Sequence, residues 1–206
     1  MSELRLDGQT VFIPVGLPCC GKSTMFKALA SLEGVGENLA LVSPDCIREE
    51  LHPGYEAGAV PFDKIDNSDV FDRSHALLHR FVVDGYDVWF DALNLRSVSR
   101  HAIRSEVQMA ELDPAFSGEP IEFVVIDMEV PLVEILSRNE ACRVAHRRPP
   151  EDRLRTMAES RSTDPLKESD ERTSVWHLVW DRVWVPAAGF VPGPVCSAMM
   201  DAANGG

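Results

Sequence analysis

The chain has 206 residues, a net charge of −13, and 45% hydrophobic against 26% charged side chains. That balance is ordinary for a globular domain with one core and excludes a fibrous repeat or a wholly disordered chain. The acidic surplus counts against a broad grip on a long nucleic acid, which needs a basic face. No apolar run approaches the roughly 18 to 20 residues of a bilayer span. The start, Met1-Ser2-Glu3-Leu4-Arg5, lacks the charged-then-apolar pattern of a secretory leader, so no membrane and a cytoplasmic setting are expected. Five cysteines, adjacent at Cys19 and Cys20, show neither zinc-ligand spacing nor a disulfide framework.

Thr10 to Val15 is short, apolar and partly β-branched, which predicts a buried strand with Pro14 tolerable near its end. Beyond Gly21, Met25, Leu29 and Leu32 recur near a 3.6 period, predicting a helix that Gly34 and Gly36 end. Leu39 to Val42 is a second strand candidate, stopped by Ser43-Pro44, and Asp45 to Leu51 reads as a brief helix. Pro53, Gly54, Gly58 and Pro61 mark a loop. A helix is expected over Asp69 to Val83, a strand at Val88 to Phe90, a helix over Ser97 to Leu112 and a strand over Glu122 to Met128. Leu132 to Val144 and Glu151 to Arg161 read as two further helices, the second entered through Pro149-Pro150. Trp176, Val179, Trp180, Val183 and Trp184 recur at helical spacing, while Val183 to Val185 before Pro186 equally suits an edge strand. The Ala-, Gly- and Pro-rich residues 187–206 are expected to be a loosely ordered tail. Strands separated by helices imply right-handed crossovers and a mostly parallel sheet.

Gly16-Leu17-Pro18-Cys19-Cys20-Gly21-Lys22-Ser23-Thr24 fits G-x-x-x-x-G-K-[ST] between a strand and a helix. Such a loop wraps a polyphosphate in backbone N–H groups at a helix N-terminus. Lys22 then reaches the β/γ-phosphates, and Ser23 supplies a hydroxyl to Mg²⁺. ATP and Mg²⁺ are therefore the expected cofactors. The two cysteines read as small loop residues or as thiols whose pKa the helix end lowers.

An acceptor is also needed. Asp45 and Arg48 lie one helical turn apart just past the second strand, at the sheet edge where ligands of open α/β folds gather. Asp45 suits a proton acceptor there, or else a cap of the short helix. Arg48 suits an anionic or polar substrate group. Asp91, ending the third strand, reads as a Mg²⁺ contact beside Ser23 or as a turn residue, with Asn94 a companion on the substrate side. Residues 138–161 hold seven arginines (138, 143, 147, 148, 153, 155, 161) against four acids. This net-positive stretch in an acidic chain reads as a lid over a phosphoryl group or as a solvated helix face. His75 and His79, with no third ligand evident, read as ordinary helix residues.

Together these pieces resemble the P-loop phosphotransferase group that includes phage polynucleotide 5′-hydroxyl kinases. The likeness rests on the phosphate loop, Val42-Ser43-Pro44-Asp45-Cys46-Ile47-Arg48, Phe90-Asp91-Ala92-Leu93-Asn94-Leu95, Arg138-Asn139 followed by Arg143, the stretch from Arg148 to Met157, and Trp180 to Val185. It spans about residues 10–186. Cys19 stands where glycine is usual, Leu93 where threonine is common, and Ala92 where some members carry an essential acid. The resemblance implies a P-loop NTPase fold with a parallel five-stranded sheet of order 2-3-1-4-5 flanked by helices, Val183 to Val185 being the fifth strand. It implies a kinase domain over 1–186 with an arginine-rich helical lid at about 131–161. It makes Asp45 the general base, Arg48 the acceptor-phosphate ligand, and Arg138, with Arg143, the lid contacts to ATP.

The expected function is an ATP- and Mg²⁺-dependent kinase acting on a hydroxyl of nucleic acid, DNA or RNA, foremost a 5′-OH end. The alternatives are a kinase of a hydroxymethylated DNA base such as 5-hydroxymethyluracil, a kinase of a small metabolite, or a non-catalytic ATP-binding module.

Overall fold

The structure is a computed structural model that describes residues 8–55, 59–60, 64–142, 148–164, 166, 171–188 and 194–205. The expected elements appear in order: β1 (Thr10–Val15), α1 (Lys22–Ala30), β2 (Leu39–Val42), α2 (Pro44–Leu51), α3 (Asn67–Val83), β3 (Asp87–Phe90) and α4 (Ser97–Glu111). Then follow β4 (Glu122–Glu129), α5 (Leu132–Ala141), α6 (Glu151–Thr163), β5 (Thr173–Asp181), β6 (Val183–Pro186) and α7 (Pro194–Asn204). The sheet has six strands in the order β2-β3-β1-β4-β5-β6, parallel except for the final pair.

Two expectations are corrected here. The sheet has six strands, not five, and residues 183–185 belong to the sixth. The fifth is Thr173–Asp181, where Trp176, Leu178 and Trp180 alternate with Val175, His177 and Val179 across a pleat rather than around a helix. Arg182, at φ +67, makes the tight reversal that folds β6 back antiparallel on β5. The tail expected to be loosely ordered contains α7, which buries Cys196, Met199 and Met200 and packs on α1. Three buried sulfur-bearing side chains outweigh the Ala/Gly-rich composition that suggests looseness.

Right-handed connections fix the layers. β1 to β2 runs toward one edge and every later parallel crossover runs the other way, so α1 lies on one face and α3 and α4, which pack on each other, on the other. The core is the sheet's own side chains, with Val11, Phe12, Ile13, Val88, Trp89, Val125 and Ile126 all buried. Pro14 sits in the central strand yet breaks little, because the β1–β3 pairing spans only Val11 and Phe12. Beyond that point Asn94 Nδ2 donates to Pro14 O at 2.9 Å. His79, an ordinary helix residue as expected, ties α3 to α4 through Glu106 Oε1 at 2.9 Å and Asp113 Oδ2 at 3.4 Å. Among the described residues no helix is long and apolar enough to cross a membrane.

Candidate active site at the phosphate loop

Three strand ends meet where β1, β2 and β3 finish. Gly16 N donates to Leu93 O at 3.1 Å, and Asp91 N donates to Val42 O at 2.8 Å. The phosphate loop, the segment after β3 and the segment after β2 are thereby fixed to one another by backbone alone. Within the loop, a Cβ on Gly16 would stand 2.5 Å from Cys20 Sγ, so a larger residue fits only if the Cys20 side chain moves. Gly21 caps α1 at φ +104, a left-handed conformation that only glycine adopts freely, and its carbonyl accepts from Met25 N at 2.9 Å. Lys22, 9% exposed, donates through Nζ to Gly16 O at 3.0 Å and Leu17 O at 2.9 Å, with Cys20 Sγ at 3.6 Å. The ammonium thus rests on the carbonyls of its own loop, at the base of the cradle.

Ser23 Oγ donates to Asp91 Oδ2 at 3.1 Å. A hydroxyl and a carboxylate are hard oxygen donors of the kind Mg²⁺ takes, so these two residues fit that ion. Cys19 holds a non-glycine φ of +62. Burial pushes its thiol pKa up, reinforced by Cys142, and this outweighs the pull of Lys22 and Arg138 in the other direction. The reading of Cys19 as a thiol with a lowered pKa is therefore corrected.

Asp45 is not the cap of its helix. Ser43 is, its Oγ accepting from Cys46 N at 3.4 Å, with Pro44 at the first helical position. Asp45 instead pairs with Arg48, whose Nη1 lies 2.5 Å from Asp45 Oδ1. Its side chain stays 45% exposed. Arg48 is 7% exposed, donates Nε to Asn67 Oδ1 at 3.0 Å and lies over the Phe71 ring. Tyr55, also buried, places its hydroxyl 3.5 Å from Asp45 Oδ1. Asn67 and Tyr55 carry no sequence signal of their own. They reach the pair only because α3 and the loop after α2 fold back on it.

Asn94 departs from its expected role as a substrate contact. It is 4% exposed at φ +50, and its amide donates to Pro14 O and Phe90 O. Turned inward, it holds the β1 and β3 ends together and is spent on backbone.

The arginine-rich segment divides. Arg138 donates Nε to Glu134 Oε1 at 2.6 Å and Nη1 to Cys19 O at 3.3 Å, which brings it to the phosphate loop. Arg148 caps the end of α5 through Asn139 O and Glu140 O, and Arg155 pairs with Glu151 one turn back. Arg161 binds Asp127 and Met128 O, joining α6 to β4. Arg143 and Arg147 lie outside the described residues. Asp127, Glu129 and His177 gather close enough to hold a metal, but Arg161 already supplies the cation there. Burial pushes the Asp127 carboxyl pKa up, against the opposing effect of Arg161.

Comparison with known proteins agrees with this fold. The solved structures that share the fold include the Kti12 protein of Chaetomium thermophilum in complex with ADP-AlF3, at 16% identity and a TM-score of 0.56, covering 93% of this chain and 95% of that one. A fungal RNA kinase aligns at 13% identity and a TM-score of 0.52, covering 98% and 85%. A gluconokinase from Sinorhizobium meliloti aligns at 16% identity and a TM-score of 0.50, covering 98% and 92%. No curated protein matches the chain by sequence. The sequence pattern of the family described as AAA domain matches residues 11–163, from the first strand through α6. The chain therefore belongs to the AAA domain family and has a P-loop NTPase fold.

Proposed function

We propose that this chain is an ATP- and Mg²⁺-dependent kinase that passes the γ-phosphoryl group to a hydroxyl of nucleic acid, foremost a polynucleotide 5′-OH. One observation carries the reading, the double attachment of Asp91. Its carboxylate binds Ser23 of the phosphate loop, and its amide binds Val42, three residues before Asp45. The acid suited to accept a proton thus leaves the sheet one strand away from the pair suited to Mg²⁺.

Ser23 and Asp91 would hold Mg²⁺, which supplies positive charge against the β/γ-phosphate oxygens when bound. Lys22 exchanges its loop carbonyls for phosphate oxygens, and Arg138 turns from Glu134 to the same charge. Asp45 takes the proton of the attacking hydroxyl while Arg48, which pairs with its Oδ1, is the residue suited to turn to an acceptor phosphate. An end of a strand requires few phosphate contacts, which reconciles the acidic surface with this acceptor. The likeness of these motifs to phage polynucleotide kinases supports the choice.

A second acceptor class rests on the net charge of −13. It favours a small metabolite over a long polyanion. A transfer screen with γ-labelled ATP separates the classes, using 5′-OH DNA, 5′-OH RNA, end-blocked DNA containing 5-hydroxymethyluracil, and a panel of nucleosides and sugars. Label on the 5′-OH ends is expected. Label confined to small molecules, or to the end-blocked DNA, overturns the end-kinase reading. No label anywhere leaves a nucleotide-binding module.

A further inference from the structure

The β5–β6 hairpin brings two indoles to the phosphate loop. Trp180 and Trp184 are register partners, and their rings meet edge to face with centroids 5.2 Å apart. Trp184 is a fixed strut. It is 4% exposed, and its backbone N–H and C=O are both bound by the Asn204 amide of α7, at 2.7 and 2.8 Å. Its Cζ2 stands 3.1 Å from where a Cβ on Gly21 would lie, so it braces the loop directly. Trp180 is only partly buried, and one face of its ring is covered by the Arg138 guanidinium, whose Cζ lies 4.1 Å from the ring centroid. Arg138 in turn touches Cys19 O. Loop, Trp184, Trp180 and Arg138 form a closed circuit around the mouth of the cradle.

From this circuit we infer that the indole face of Trp180 is the seat of the donor's nucleobase. The inference rests on the reading that a nucleoside triphosphate occupies the loop. Arg138 covers that face only while its charge is not needed at the phosphates. Once it turns to them, a flat aromatic surface is exposed beside the loop, braced through Trp184. A nucleobase is the part of the donor that can replace a guanidinium on an indole, since both stack flat on the ring. Arg138 departure and base docking are therefore mutually favourable, and a base on Trp180 keeps Arg138 from returning to its resting position. Stacking reads ring area more than hydrogen-bond pattern, so at this seat purines are preferred over pyrimidines.

Equilibrium titrations of the full chain with Mg²⁺ and ATP, CTP or inorganic tripolyphosphate test this. Replacing Trp180 by Leu is expected to weaken ATP about 5- to 100-fold, the range of one base-stacking contact, while tripolyphosphate affinity stays within about 2-fold. Trp180→Phe, which keeps an aromatic face, is expected to restore most of the ATP affinity, and wild type should bind ATP more tightly than CTP. Equal weakening of ATP and tripolyphosphate in Trp180→Leu would show a role in supporting the loop only, and overturns the inference. Unchanged ATP affinity overturns it as well. No phosphoryl transfer is read here, so a failure of the acceptor reading appears in the labelled screen and not in these titrations.

Discussion

Ser23 Oγ donates to Asp91 Oδ2 across 3.1 Å, joining the first turn of α1 to the end of β3. In the proposed reaction both residues would hold one Mg²⁺, which would supply positive charge against the phosphates. Ser23→Ala and Asp91→Asn are each expected to slow transfer at least ~10²-fold, the several kcal/mol a metal contributes to phosphoryl charge. Raising Mg²⁺ should recover part of the Asp91→Asn loss. Transfer rates across a Mg²⁺ series check this, and a rate independent of both residues would remove the pair from the metal site.

Cys19 holds φ +62 without being glycine. A left-handed residue with a Cβ costs about 1–2 kcal/mol, partly offset by the greater unfolded freedom of glycine. Cys19→Gly is therefore expected to stabilise the chain by roughly 0.5–1 kcal/mol. The Arg138 contact should persist, because it uses the backbone carbonyl of residue 19. Denaturant midpoints of the two proteins measure the difference, and a destabilised variant would mean that the thiol's own packing dominates.

Asp87 opens β3 far from the loop, buried, with its Oδ1 accepting from Thr10 N at 2.7 Å. Burial pushes its carboxyl pKa up from 3.8 to about 6, against the lowering by that hydrogen bond. The folded state therefore favours the protonated acid. This contribution to stability is full below about pH 4 and is lost as pH rises through about 6. Asp87→Asn keeps an acceptor for Thr10 and removes the buried charge. Its melting temperature should exceed that of the parent at pH 8, by the equivalent of about 1–3 kcal/mol, and the gap should close by pH 4. A constant gap across that range would contradict this account.

What is legible in the chain alone follows from which signals are local. The phosphate loop is, because strand, glycines, Lys22 and Ser23 are contiguous and each has a fixed task. The order of the first four strands follows once the motifs' resemblance to P-loop phosphotransferases is used. The hairpin at 173–186 is not, since tryptophans spaced at four serve a helix face and one pleat of a strand equally well. Nor is α7, whose weak composition hides three buried sulfur-bearing side chains. Asn94 misleads for a related reason. A polar residue at a strand end points to substrate in the sequence, whereas here a central proline leaves a backbone carbonyl that the Asn94 amide satisfies. Tyr55 and Asn67 lie 10 and 19 residues from their partners Asp45 and Arg48, and only tertiary folding joins them.

The pairing of Asp45 with Arg48 at the mouth of β2 is where the catalytic account is most exposed to test. Asp45→Asn keeps the shape of the side chain and removes its ability to take a proton. Single-turnover transfer to the acceptor found in the labelled screen, measured beside ATP affinity on the same protein, isolates the chemical step. The account predicts transfer slowed at least ~10²-fold, the scale of general base catalysis, with ATP affinity within about 3-fold of the parent. Undiminished transfer by Asp45→Asn would contradict it.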